Sequence, residues 1–221
     1  MIFKLCKGLA AAVLLSVLAT GCAKPVPYDY SAFKQSRPKS ILVLPPVNSS
    51  PDVKAPYSML AQMSFPLAES GYYVYPVAVA NEAFRENGLS NPAEIHAVPF
   101  NKLQQIFGAD AALYVDIKEY GTSFKLLSSE VAVMAEARLV DLKSGQILWS
   151  GSARASSAEN NNNPSGGLAG LLVKAIIDQI ANTLTDKGHT YAGITSQRLL
   201  TAGGGNGQLL YGPRSPKYGT D

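Results

Sequence analysis

The residues best able to do chemistry in this sequence are sparse, and their spacing argues against a catalytic centre. His96 and His189 are the two histidines. Neither sits in an HExxH helix, a G-x-S-x-G elbow or a paired-cysteine pattern, the arrangements that bring reactive side chains to a metal or a nucleophile. Both are therefore read as structural surface residues. Asp110, Asp116, Glu119, Glu130 and Glu136 lie on or beside strand-like runs. Two of them on one face could form the carboxylate pair of a general acid and base, but solvated strand faces account for them more simply. Gly203-Gly204-Gly205-Asn206-Gly207 has the composition of a phosphate loop. It lacks the lysine and the strand-loop-helix setting in which backbone amides cradle a phosphate. The run Asn160–Asn163 reads as a loop. No catalytic residue, metal ligand or cofactor is expected from these patterns.

Cysteine chemistry narrows to one position. Met1–Lys7 carries Lys4 and Lys7, Gly8–Leu18 is an apolar run, and Ala19-Thr20-Gly21-Cys22 follows. This is the basic, hydrophobic and small-residue order of a secretory signal. The run is short of the roughly 20 apolar residues that a membrane span needs. The residues before Cys22 resemble a bacterial lipobox, with Ala19 where leucine is usual and Leu18 one place early. At such a motif the thiol is diacylated, the chain is cut before the cysteine, and the new amine is acylated. Residues 1–21 are then a signal peptide and Cys22 is the lipidated first residue. Several acyl chains anchor stably where one would be marginal. Ala23 follows in place of Asp, which by resemblance to the sorting rule of enteric bacteria implies the outer membrane. The domain would lie in the periplasm, with surface exposure the other arrangement. With Cys6 removed and Cys22 acylated, no thiol remains for a disulfide or a metal, and the fold must rest on its core.

The charge balance excludes a further class. The chain has 19 basic and 16 acidic side chains; residues 1–21 hold Lys4, Lys7 and no acid, so 17 and 16 remain beyond them. No basic footprint clusters as nucleic-acid binding requires.

Four segments follow from the composition. After the signal peptide, residues 22–39 form the lipidated N-terminus and a proline-bearing tether of 17 residues beyond Cys22, reaching some 55 Å at about 3.3 Å per residue. Tyr28, Tyr30 and Phe33 in it either stay in solvent or pack on the domain or a partner. Residues 40–187 form one α/β domain. Ile41-Leu42-Val43-Leu44 before Pro45-Pro46 reads as a buried strand. Met59–Ser70 reads as a helix that Pro66 kinks or shortens, and Tyr72–Val79 as a second strand. A short helix is expected from Asn81 to Asn87, and another around Asn101–Phe107 stopped by Gly108. Ala111–Tyr120 and Glu130–Val140 read as strands, the latter folding back through Asp141–Gln146 onto Ile147–Ala153. Leu168–Leu184 has the broad apolar face of a helix buried against a sheet. Residues 188–221 read as a flexible Gly/Pro-rich tail.

Several of these segments together resemble a known family. They are the lipobox cysteine, the strand-and-prolines run Ile41–Pro46 and Gly71-Tyr72-Tyr73-Val74-Tyr75-Pro76. Gly108-Ala109-Asp110-Ala111 and the Asp141–Gly151 turn with Trp149 complete the set. They look like a family of bacterial lipoproteins that includes a genome-derived neisserial antigen of unassigned function. More distantly, the order of elements is similar to the N-terminal domain of TolB, to CsgG-like secretion lipoproteins and to auxiliary lipoproteins of transport systems. The resemblance implies a TolB N-terminal-like α/β single domain, a mixed sheet with helices packed on it. It carries over no catalytic residue, and Cys22 alone matches a functional position.

The expectation is a non-enzymatic, outer-membrane-anchored lipoprotein, an accessory or scaffold of an envelope transport or secretion complex. Its partners would be the membrane through Cys22 and envelope proteins, among them CsgG-like or transporter subunits, with a homo-oligomer as a further arrangement. The contact surface would be Tyr72, Tyr73 and Tyr75 or Tyr28, Tyr30 and Phe33, unless these tyrosines are core. The alternative function is activation of peptidoglycan synthesis; a third, an envelope hydrolase, needs a carboxylate pair in a pocket.

Overall fold

A computed structural model describes residues 26–125, 128–161 and 187–221. Helix α1 (Ser31–Ser36) precedes strand β1 (Ser40–Val43), the predicted first strand. Strand β2 (Val47–Asn48) follows the two prolines, and helix α2 (Ala55–Glu69) runs through Pro66, which sits in its last turn without ending it. Strand β3 (Tyr73–Val74) leads to α3 (Val77–Glu86), α4 (Pro92–His96) and α5 (Phe100–Phe107). Strands β4 (Ala111–Lys125), β5 (Ser128–Asp141) and β6 (Ile147–Ser156), a 3-10 turn (Ser157–Asn161) and α6 (Lys187–Leu200) complete the order.

The sheet is mixed. Its order is β3-β1-β4-β5-β6, with β1 parallel to both neighbours and β4, β5 and β6 antiparallel; β2 continues beside β4. Alternation along β1 and β4 divides the core in two. Ile41, Val43, Leu113, Val115 and Ile117 face α2 and α6, while Leu42, Leu44, Ala112 and Tyr114 face α3, α4 and α5.

Three expectations fail for physical reasons. The second strand stops at Val74, because Pro76 has no amide to donate and its fixed φ starts a helix. Val77–Glu86 then buries Ala80 and Phe84, four apart, so Asn81 is interior rather than a cap. The tail from Gly188 is folded: α6 buries Tyr191, Ala192, Ile194 and Leu199, and Leu209 and Leu210 reach the core beyond it. The tether is docked from its aromatic residues onward. Phe33 is buried, and Tyr28 and Tyr30 pack against the main core cluster. The predicted helix Leu168–Leu184 lies outside the described residues, as do the signal peptide and Cys22.

Candidate functional site

The two chain ends meet on the body. Tyr30 Oη donates to Gln208 O (2.6 Å), Tyr28 N to Asn206 Oδ1 (2.5 Å), and Asn206 Nδ2 to Val26 O (2.8 Å). Tyr28 Oη accepts from Ser150 N on the edge of β6 (2.9 Å), and Trp149 Nε1 donates to Gly207 O (2.9 Å). The buried Tyr72 closes the other side, its hydroxyl donating to Leu210 O (2.6 Å); burial pushes its ionisation far up. Gly71, at φ +96°, lets the tail approach: Gly212 N donates to Ser70 O and Arg214 N to Gly71 O, and a Cβ on Gly71 would overlap Ser215 N. Of the tyrosines expected at an interface, Tyr72 is internal, Tyr28, Tyr30 and Tyr75 are half-buried, and Tyr73 is 40% exposed. Tyr72 is 2% exposed, while Tyr73 lies under the Arg214 guanidinium and against Tyr75.

The β5–β6 turn ties into the same region. Asp141 Oδ1 accepts from Lys143 N, Ser144 N and Ser144 Oγ, and its Oδ2 accepts from Ser36 Oγ of α1 (2.5 Å). Burial works against ionisation of Asp141, but these hydrogen bonds outweigh it and hold its carboxyl below the ordinary range. Gly145 takes the left-handed φ of +74° that closes the turn.

The second feature is a groove on the opposite sheet face. Helices α3, α4 and α5 cover that face over β1 and the start of β4. Beyond them Tyr114 and Asp116 of β4, Glu136 and Arg138 of β5, and Ser150 and Ser152 of β6 stand in register. They line a hollow of about 580 Å³, which shares His96, Tyr114 and Arg138 with a neighbouring one of about 300 Å³ bordered by Val98, Phe100 and Ile147. Arg138 lies over the Tyr114 ring at 4.9 Å. His96 packs edge-on against the same ring, and its Nε2 donates to Pro45 O at 3.0 Å. Burial lowers the His96 pKa and Arg138 adds to that, against the effect of the Pro45 hydrogen bond and of Asp116.

The predicted acids divide by role. Asp110 clips the start of β1, its Oδ2 accepting from Lys39 N, Ser40 N and Ser40 Oγ. Asp116 and Glu136 do meet, directly opposite each other across the strands, with Lys118 Nζ paired to both. Glu119 and Glu130 are held by Arg154, at 2.8 and 3.1 Å. His189 is engaged by Ser58 Oγ and Gln62 Nε2 of α2. Among the described residues no group of three His, Cys, Asp or Glu is placed to hold a metal, and no helix is long and apolar enough to cross a membrane.

Residues 28–214 match the GNA1162-like lipoprotein profile. This chain belongs to the GNA1162-like lipoprotein family. A lipoprotein of Neisseria meningitidis serogroup B, NMB1124/NMB1162, is 51% identical over 207 residues, 94% of either chain. The crystal structure of lipoprotein GNA1162 from Neisseria meningitidis is matched at 54% identity with a TM-score of 0.52, over 66% of this chain and all of that one. A PelC dodecamer from Paraburkholderia phytofirmans, at 12% identity and a TM-score of 0.43 over 80% of this chain and 91% of that one, is too remote to carry an inference.

The GNA1162-like match begins at Tyr28 and ends at Arg214, so both docked ends belong to the family unit. The groove residues Arg138, Tyr114 and Ser150 are absent from the sequence-based expectations. Polar residues at alternate positions on three successive strands are the signal for such a face, but they do not tell an open sheet from one covered by a helix.

Proposed function

We propose that this GNA1162-like protein is an envelope lipoprotein acylated at Cys22, and that it acts as a non-enzymatic accessory or scaffold holding partner proteins close to the membrane. The docking of residues 28–36 onto the body carries this reading. It leaves only the stretch from Cys22 to Tyr28 to span from acyl chains to domain, about 20 Å at full extension. A body confined within that distance meets other envelope proteins at a raised effective concentration. Ala23 after the cysteine supports the outer membrane as its site. Activation of peptidoglycan synthesis asks the domain to reach away from the membrane, and the docked N-terminus shortens the reach that the sequence alone allows.

A hydrolase has less support. Asp116 and Glu136 form the carboxylate pair it requires, yet their side chains are 36% and 52% exposed and both pair with Lys118. A general acid needs a desolvated carboxyl that stays protonated.

The test is membrane fractionation and in-cell crosslinking of the full-length chain beside Cys22→Ala and a variant with a long Gly/Ser linker inserted after Pro25. The native chain is expected with the outer membrane and crosslinked to a defined envelope complex, with Cys22→Ala losing both. Crosslinks unchanged by the inserted linker would overturn the close-tether reading.

A further inference from the structure

Arg138 differs from the other charged side chains of the open face. Asp116 and Glu136 share Lys118, and Glu119 and Glu130 share Arg154. Arg138 has no carboxylate within ion-pair distance among the described residues and rests on Tyr114 instead. It also borders both hollows. On one side are the hydroxyls of Ser150 and Ser152 and the Asp116–Glu136 pair; on the other, Val98, Phe100 and Ile147 form an apolar wall. Phe100 is 37% and Ile147 52% exposed, so that wall lacks a cover.

An uncompensated guanidinium beside an apolar hollow fits an anion joined to an apolar group. The planar fork of arginine matches a carboxylate through two parallel hydrogen bonds. At the far end two carboxylates facing one ammonium leave a net negative charge, which suits a basic group. We propose that the groove binds the C-terminal residues of a partner polypeptide: the terminal carboxylate on Arg138, an apolar last side chain against Val98, Phe100 and Ile147, and an upstream basic side chain facing Asp116 and Glu136. A fatty acid would satisfy Arg138 and the apolar wall but would leave the polar end of the groove unmatched. The proposal rests on the reading that this domain binds partner proteins, and gives that binding a place.

The experiment is fluorescence anisotropy of full-length protein, purified in detergent, with N-terminally labelled hexapeptides. The peptides end in leucine or phenylalanine, carry a lysine two residues before the end, and are made as free acids and as C-terminal amides. The free acids are expected to bind and the amides to bind about tenfold more weakly or worse, the loss expected for a charge-assisted hydrogen bond. Arg138→Gln should cause the same loss. Ile147→Asp, at an exposed position, should weaken leucine-ended peptides with the melting temperature unchanged. Equal binding of acid and amide, full affinity in Arg138→Gln, or no binding up to millimolar peptide would each overturn the proposal. Because the groove is remote in sequence from Cys22, the Cys22→Ala chain should bind these peptides as the native chain does. A misplaced anchor and an empty groove are therefore separate outcomes.

Discussion

The two faces of the sheet differ in how far helices close them. Toward α2 and α6, the side chains of β4, β5 and β6 are a continuous apolar set, Leu113, Val115, Val133, Ala135, Leu139, Trp149 and Ala155. Toward α3, α4 and α5 the cover ends after β1 and the start of β4, and the same three strands present Asp116, Glu136, Arg138, Ser150 and Ser152. Both faces are built by one alternating sequence, so the difference lies in which residues each strand places outward. A cavity in close packing leaves lost contacts that the closed face cannot recover, whereas polar groups on the open face keep water as a partner. A close-packed apolar face and a water-facing polar face are thus separated across the thickness of one sheet.

The closed face should respond most to substitution. Trp149 is 1% exposed and joins the core to the C-terminal segment through its bond to Gly207 O. Trp149→Ala is expected to cost about 3–5 kcal/mol, read from the denaturant midpoint at unchanged slope. Asp141→Ala comes next. It removes the acceptor of four hydrogen bonds, including the one from Ser36 that holds α1. A loss of about 2 kcal/mol at neutral pH is expected, as for orphaned donors. The Asp141 carboxyl titrates below its unfolded value of 3.8, so its contribution is complete above that pH and is lost as pH falls through the folded value. Wild type and Asp141→Ala should therefore converge in stability in strong acid. A constant gap would mean that the turn depends on side-chain shape rather than charge.

His96, at the border between covered and open face, supplies a smaller effect of opposite origin. Burial depresses its pKa, so below about pH 6.5 the unfolded chain binds the proton more readily than the folded one. Stability is expected to fall as pH drops from neutral through 6.5, and to level off below the folded value. His96→Gln removes the proton and should flatten that slope in melts from pH 7.5 to 5. A slope unchanged by the substitution would place the titrating group elsewhere.

Much of the closed face was legible. The apolar run Ile41–Val43, the alternation along β5 and the Asp141–Gln146 reversal all follow from spacing and turn chemistry, and the structure has them. The ends were not. In α6 two glycines, Thr195 and Ser196 depress helix propensity, yet Thr195 and Ser196 are fully buried, the former bonded to Val133 O. Tertiary packing decided there against local preference. Tyr28 and Tyr30 find their partners some 178 residues away in the Gly-rich tail, a pairing no local pattern contains. Strict alternation along β4 would put Tyr120 with Tyr114 and Asp116. A bulge between Ile117 and Glu119 instead moves Tyr120 to the covered side, and Lys118 pairs with Asp116 and Glu136. Of the candidate site, Arg138 gains its meaning only from a helix that stops short of it.

The smallest expected effect sharpens the contrast most. Leu139 and Arg138 are consecutive on β5 and point to opposite faces, the first fully buried and the second exposed. Leu139→Ala should cost about 2–5 kcal/mol through the cavity it leaves. Arg138→Ala should stay within about 0.5 kcal/mol, as substitutions of uncovered surface do, since only its contact with the Tyr114 ring is lost. Paired denaturation curves of the two variants measure the difference between faces at one step of the chain. If Arg138→Ala cost more than about 1 kcal/mol, the guanidinium would belong to the stability of the strand ladder. The open face would then be a wet extension of the core, and the groove would have no spare cation to offer a ligand.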